Sequence, residues 1–359
     1  MAVRKAIVLC AGEGTRLRPL SFSVPKHLMS VAGQPLLGWI LEALSEAGIK
    51  QVGVITPPQE EAIREFVGDG TAWGMSATYL VQPEPLGLAH AVRCARDFLG
   101  NDPFLMYLGD NALEQSLGEF IGEFERSEAD ATVLVKQVDD PRQYGVVEMR
   151  DGQVAGLVEK PPDPPSNLAI VGVYVFQPAI LEAIDRIAPS ARGEYEITDA
   201  IQQLLDDGGK VMAHELTGFW EDAAAPPDLL RINRFYLDQL DLAVHGVINE
   251  ASSTDGAIGI GVGTQVTSCA LSGPCLVGKD SVLANSDIGP SVSIGNNCRV
   301  IAAKLRNCII EDGTCIENFP GGLVDSVIGR QVSLRGDGCC SQPTQVIVGD
   351  MCRIETTGR

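Results

Sequence analysis

The sequence predicts an α/β chain in which a Rossmann-like, mostly parallel sheet is followed by an all-β parallel β-helix. Three observations lead there. Apolar strand-like runs alternate with helix-like stretches over the first 240 residues, the composition changes abruptly near residue 244, and an aliphatic repeat begins at Ile260. A length of 359 residues suits two or three domains.

The first part supplies its elements in order. An apolar run over 4–10 meets the turn Ala11-Gly12-Glu13-Gly14, and a helix over 36–47 stops at Gly48. Strands over 51–56, 77–81 and 103–108 then alternate with helices over 60–67 and 88–99. That alternation implies a sheet covered on both faces. Such sheets bind ligands beyond the carboxyl ends of their strands. The loop after Cys10 and the sequence Leu108-Gly109-Asp110 both fall there. Runs over 145–150 and 153–158 flank Asp151-Gly152, a hairpin signal. A last helix covers 227–240. The expected division is therefore an α/β domain over 1–240, a linker over 241–253 and a repeat domain over 254–359.

In the tail, aliphatic residues recur every five to seven positions. One series is Leu271, Ile288, Leu305 and Leu323; another is Ile260, Val277, Ile294, Ile310 and Ile328. A hexapeptide-type period means three short strands per coil, and about four to five coils fit, with 339–359 as a cap. Eight of the ten cysteines lie in this part, without Cys-x-x-Cys pairs and with no histidine beyond His245. They read as small buried side chains in a reducing compartment, not as a zinc site.

Charge narrows the partners. The chain carries 27 Lys and Arg against 47 Asp and Glu, a net charge of −20. Residues 1–244 hold 19 and 36 of these, and residues 245–359 hold 8 and 11. An acidic surface argues against nucleic acid or an anionic membrane as partner. No apolar run approaches the ~20 residues of a membrane span, and a soluble cytoplasmic protein is expected.

The strongest chemical signal is Leu9-Cys10-Ala11-Gly12-Glu13-Gly14-Thr15-Arg16, with Pro25-Lys26 close behind. A Gly-rich turn after a first strand lets backbone N–H groups approach phosphates, and two cations nearby can balance a triphosphate. It is neither a Walker motif nor Gly-x-Gly-x-x-Gly. These residues resemble the signature of the sugar-1-phosphate nucleotidylyltransferases. Val81-Gln82-Pro83 with Leu86-Gly87, Leu108-Gly109-Asp110-Asn111, Tyr144-Gly145-Val146, Glu159-Lys160-Pro161, Gly172-Val173-Tyr174 and Arg192-Gly193-Glu194-Tyr195 are similar to the glucose-1-phosphate thymidylyltransferases. The repeat tail resembles that of the long form of those enzymes, whose β-helix is left-handed. The first domain would then have the nucleotide-diphospho-sugar transferase type of sheet.

The resemblance implies attack by a sugar phosphate on the α-phosphorus of a nucleoside triphosphate, with loss of pyrophosphate. Positioning and charge stabilisation suffice for such a reaction. Arg16, Lys26, Asp110 and Lys160 are the expected catalytic set. Leu9, Ala11, Gly12, Gly14, Thr15, Arg16, Gln82, Gly87 and Asp110 would bind nucleotide. Asn111, Gly145, Glu159, Lys160, Gly172 and Arg192 would bind the sugar phosphate. Magnesium would be held by Asp110 and Asp222. Around Asp222 the chain departs from the family pattern: Trp220-Glu221-Asp222-Ala223-Ala224-Ala225-Pro226 lacks the usual Thr and Gly, and Glu221 is a competing acid. Gln82 matches the edge shared by thymine and uracil, which excludes other bases better than it separates dTTP from UTP. The resemblance implies dTTP, favoured over UTP, and a sugar 1-phosphate as partners. A homo-oligomer is expected. The alternatives are a UTP-dependent enzyme and a weakened regulatory or oligomerising paralogue.

Overall fold

The computed structural model describes residues 2–319, 321–337 and 342–356. Cys339 and Cys340, and part of the expected cap, lie outside the described residues. The chain forms two compact units: Met1–Gly12 with Leu37–Trp220, and Glu13–Leu36 with Glu221–Arg359.

The first unit is built on one nine-stranded sheet. Lys5–Leu9 sits between Gln51–Thr56 and Phe104–Leu108, parallel to both, and Ser76–Val81 adds a fourth parallel strand. Three of the apolar runs were legible because interior parallel strands are buried on both faces and read as continuous hydrophobic stretches, whereas Ser76–Val81 is an edge strand with no buried residue. Beyond Phe104–Leu108 the sheet turns antiparallel, through Leu168–Phe176. That strand is nine residues long with eight buried, and it also pairs with Ala131–Gln137. Neither was singled out in the sequence, because their apolar runs carry no turn signal of hairpin type. Helices Leu88–Cys94, Ala179–Ile184 and Ile197–Asp206 pack their apolar sides into the sheet's largest core. The helix expected over 88–99 is interrupted at Ala95, where ψ is 0°. At the hairpin, Asp151 and Gly152 both have positive φ, 50° and 77°, as a type I′ turn requires.

The second unit contains the β-helix. Strands Val247–Ile248, Gln265–Thr267, Val282–Ala284, Arg299–Ile301, Cys315–Glu317, Ser333–Gly336 and Arg353–Thr356 stack in parallel as one face. The expected aliphatic series are realised as registers: Ile260 pairs with Val277, Val277 with Ile294, Ile294 with Ile310 and Ile310 with Ile328. Leu271, Ile288, Leu305 and Leu323 form a second column. The ladder is longer than the four to five coils expected. Val247–Ile248 lies within 241–253, and Arg353–Thr356 within the expected cap. A coil that offers so few aliphatic residues is hard to see by period alone. Helix Pro226–Gln239 packs on the strands Ser30–Val31, Lys304–Ile310 and Leu323–Ile328 of the same unit.

The cysteines occupy a specific place in the coils. Ser281 Oγ accepts from the Cys298 N–H at 2.9 Å, and the Thr314 Oγ1 accepts from the Val332 N–H at 3.1 Å. Cys298 Sγ donates to the Glu311 carbonyl at 3.3 Å, as Thr264 Oγ1 does to the Gly278 carbonyl at 2.7 Å. Cys298 thus stands in a column of small hydroxyl residues, as a compact side chain with a weak S–H donor. Burial pushes the thiols of Cys275 and Cys298 up to about 12 and that of Cys308 up to about 11.

Candidate active site

In the first unit, the parallel strands end together. Leu9 is the register partner of Leu108, and the Gly109 N–H donates to the Leu9 carbonyl at 3.0 Å. The chain therefore leaves toward Ala11 and Gly12 beside the place where it leaves toward Asp110. Gln82 follows the neighbouring strand end, its N–H bonded to the Thr56 carbonyl at 2.9 Å.

Asp110 is half-buried, and one of its carboxylate oxygens is fixed. Asn111 Nδ2 donates to Asp110 Oδ1 at 2.9 Å, while Asn111 Oδ1 accepts from Trp220 Nε1 at 2.6 Å. Asn111 is only 2 % exposed. Its amide is thus engaged at both ends, which makes it an orienting group for Asp110. Gly172, with φ +55°, lies against this pair; a Cβ there would come within 3.1 Å of Asn111 Nδ2. Trp220 was quoted in the sequence only as part of a motif, since nothing local announces an indole N–H aimed at residue 111.

Gln82 is buried, and its Nε2 donates to the Gly87 carbonyl at 3.1 Å and contacts His90 Nδ1 at 3.2 Å. Burial, then the charge of Arg93, lowers the His90 pKa, so the neutral ring accepts this bond. Both amide hydrogens are spent, which directs Oε1 to act as the acceptor for a ligand. Gly87 is held at φ +104°, and a Cβ there would lie 2.5 Å from the Tyr195 carbonyl oxygen. Only glycine fits this approach.

Glu159 centres the remaining candidates of this unit. It is the register partner of Gly145, where a Cβ would meet Thr198 Cγ2 at 2.7 Å and Glu159 Oε2 at 3.1 Å. Thr198 Oγ1 donates to Glu159 Oε2 at 3.2 Å, and Lys160 Nζ lies 3.7 Å from Oε1. Arg192 reaches Glu159 at 3.3 Å, Glu194 at 3.2 Å and Glu196 at 3.5 Å. It is the counter-ion of a carboxylate cluster. Burial raises the Glu196 and Asp199 carboxyls above the ordinary range, and the Glu159 charge raises both further.

The second unit holds Gly14, Thr15, Arg16, Lys26 and Asp222. Thr15–Leu17 is a single 3₁₀ turn anchored by buried Leu17, with Gly14 in the left-handed region before it and Arg16 exposed. The half-buried Lys26 stem covers Gly14, where a Cβ would lie 3.1 Å from Lys26 Cβ. Glu221 is committed to Arg231, through bonds of 2.6 and 3.0 Å. The turn after Asp222 does not need the absent Thr and Gly. Asp228 Oδ2 accepts from the N–H groups of Ala224 and Ala225 at 3.0 and 2.6 Å. Among the described residues, no group of three or more His, Cys, Asp or Glu side chains is arranged to hold a metal. No described helix is long and apolar enough to cross a membrane.

A family model described as nucleotidyl transferase matches residues 5–239. The chain belongs to that family. The nucleotidyl transferase segment contains every candidate residue above. The chain is similar to a glucose-1-phosphate thymidylyltransferase of Streptomyces antibioticus, with 39% identity over 353 residues, 98% of this chain and 99% of the relative. It is also similar to the low-salt glycan biosynthesis nucleotidyltransferase Agl11 of Haloferax volcanii, with 37% identity over 98% of this chain and 99% of the relative. Among solved structures, a Bacillus anthracis protein described as a glucose-1-phosphate thymidylyltransferase in complex with a sucrose aligns at TM-score 0.61. The identity is 34%, and the match covers 64% of this chain and 94% of that one.

Proposed function

We propose that this nucleotidyltransferase makes dTDP-glucose and pyrophosphate from dTTP and glucose 1-phosphate. The observation that carries the base class is the Gln82 amide, whose hydrogens are spent on Gly87 and His90, and the likeness to a protein named glucose-1-phosphate thymidylyltransferase supports dTTP over UTP. Its carbonyl suits the N3–H of a thymine or uracil. Cytosine, with an acceptor at that position, would leave it unpaired, which costs about 1–3 kcal/mol.

A sugar-phosphate oxygen attacks the α-phosphorus, a new P–O bond forms, and the bond to the β-phosphate bridging oxygen breaks. Backbone N–H groups of the Gly-rich turn cradle the phosphates. Arg16 offsets charge on the departing pyrophosphate, and Lys26 steadies the α-phosphate. Lys160 holds the sugar phosphate. Glu159, fixed by Thr198, accepts from a sugar hydroxyl. Arg192 acts mainly by keeping Glu159 in place. The family pattern makes Asp110 and Asp222 the acids for magnesium. The donor chemistry suits it, because magnesium takes one or two carboxylates together with substrate phosphate oxygens. When bound it would neutralise phosphate charge.

The reading places the enzyme in the cytoplasm, with the β-helix contributing to a homo-oligomer. The deciding assay measures pyrophosphate release from glucose 1-phosphate with each nucleoside triphosphate, with and without magnesium. Product with dTTP that exceeds product with UTP supports the proposal. No product with dTTP, or a clear preference for UTP, overturns the choice of base.

A further inference from the structure

Arg16 and Lys26 lie on Glu13–Leu36, and that segment belongs to the compact unit that holds the β-helix. Its attachment involves a break in the repeat. The residues following the stacked aliphatics Ile260, Val277, Ile294, Ile310, Ile328 and Val348 are Gly261, Gly278, Gly295, Glu311, Gly329 and Gly349. Glycine serves in this column because coils approach closely; a Cβ on Gly278 would lie 2.7 Å from the Gly295 carbonyl carbon. Glu311 is the exception, and Ser30 of the segment docks on it, while Pro19 of the same segment lies against Gly349, where a Cβ would come 2.8 Å from the Pro19 carbonyl oxygen.

Glu311 Oε1 accepts from the Ser30 N–H at 3.2 Å, and Oε2 accepts from the Ser30 hydroxyl at 3.0 Å. Its side chain is 15 % exposed, and Arg330 Nε stands 3.9 Å from Oε2. Two residues on, the Ala32 N–H donates to Asn233 Oδ1 at 2.7 Å, and Ser293 Oγ of the β-helix donates to the same oxygen at 2.8 Å. A cavity of about 20 Å³ remains among Leu20, Val24, Met29, Glu311 and Val327, and a larger one of about 380 Å³ is also lined by Ser30, Gly33, Ser293 and Glu311. Ser30 is four residues from Lys26, whose stem covers Gly14 next to Thr15 and Arg16. Ser21 Oγ and the Leu17 N–H both donate to the Gly14 carbonyl, at 2.7 and 3.0 Å, which binds the segment into one block.

We infer that Glu311 is a positioning residue for the reaction: through Ser30 it holds the segment carrying Arg16 and Lys26 on the wall of the β-helix. The β-helix then has a part in catalysis. The inference rests on the proposed role of those two cations.

The test uses full-length Glu311→Ala and Glu311→Gln. Displacement of charged groups by about 1 Å costs roughly a hundredfold in rate. In Glu311→Ala, kcat for pyrophosphate release should therefore fall roughly ten- to a hundredfold. Glu311→Gln retains an acceptor for one Ser30 group and a donor for the other, and should stay within about threefold of the parent. Hydrogen exchange supplies a readout independent of activity. Amides over 14–31 should exchange faster in Glu311→Ala, with those over 258–294 unchanged. Parent-like kcat in Glu311→Ala overturns the inference, and so does equal loss in both variants with deprotection throughout the coils. If the parent chain releases no pyrophosphate with any triphosphate, the proposed function fails. Unchanged exchange over 14–31 in Glu311→Ala then separately overturns the clamp.

Discussion

Replacing Trp220 by Phe removes one N–H and leaves an aromatic ring beside Tyr144, whose centroid lies 5.1 Å from that of Trp220. The lost bond is the 2.6 Å contact to Asn111 Oδ1, on a residue 2 % exposed. Water cannot easily replace it, so the orphaned oxygen costs about 1–3 kcal/mol. The smaller ring adds roughly 1 kcal/mol of lost burial. At roughly 2–4 °C per kcal/mol for a domain of this size, Tm should fall by roughly 4–16 °C. The second consequence is local. Asn111 also donates to Asp110 at 2.9 Å, so a freed amide leaves that carboxylate unoriented. On the proposed role of Asp110 as a magnesium acid, loss of such support typically weakens metal affinity 10- to 100-fold, so the magnesium needed for half-maximal activity should rise about tenfold or more. Thermal denaturation and a magnesium titration of activity read the two effects separately. A lowered Tm with an unchanged magnesium requirement would refute the orienting role of the Trp220–Asn111–Asp110 chain.

Further outcomes are open to measurement. Gly87→Ala forces a Cβ to within 2.5 Å of the Tyr195 carbonyl, at φ +104°; it should lower the urea midpoint by the equivalent of about 3 kcal/mol or more, and an unchanged midpoint would contradict the packing. Gln82→Leu should erode the preference for dTTP over dCTP, measured as the ratio of kcat/KM values, by roughly 5- to 150-fold; an intact ratio would place base selection elsewhere. Iodoacetamide at pH 8, followed by mass spectrometry, should leave Cys275, Cys298 and Cys308 unmodified in the native protein and modify them after denaturation. Asp199 has a raised carboxyl pKa, caused by burial and then by Glu159. Its ionisation therefore works against folding as pH climbs from the unfolded value through the higher folded one. Asp199→Asn should gain stability relative to the parent at pH 8, and the gain should shrink as pH falls to 4; a gap independent of pH would contradict the shift.

Much of the fold was legible, for physical reasons that differ by region. The interior parallel strands Lys5–Leu9, Gln51–Thr56 and Phe104–Leu108 announced themselves as apolar runs because both their faces are buried. The β-helix columns appeared as spacings of 16 to 18 residues because identical coils must place an aliphatic at the same bore position. The strand Leu168–Phe176 escaped because its antiparallel pairing to Phe104–Leu108 is a long-range choice with no local mark. At the candidate site, Asp110 could be placed from its strand end, and Gln82 from the family resemblance. Their partners could not: Trp220 is 109 residues from Asn111. His90, eight residues from Gln82, carried no polar motif of its own. The three carboxylates around Arg192 are distinguishable from ordinary acidic residues only once the chain is folded.

The sequence by itself determined the family, the alternation that builds the sheet, the bore of the β-helix and the residue types able to handle phosphate. Each of these depends on local pattern or on strict periodicity, which a linear chain displays. Tertiary structure alone decided which groups are already engaged: Glu221 by Arg231, the Gln82 amide hydrogens by Gly87 and His90, and Asn111 by Trp220 and Asp110. It also decided that the segment bearing Arg16 and Lys26 folds onto Glu311, 281 residues from Ser30. Hydrogen bonds depend on distances of about 3 Å and on direction, and neither is encoded at any one position of the chain.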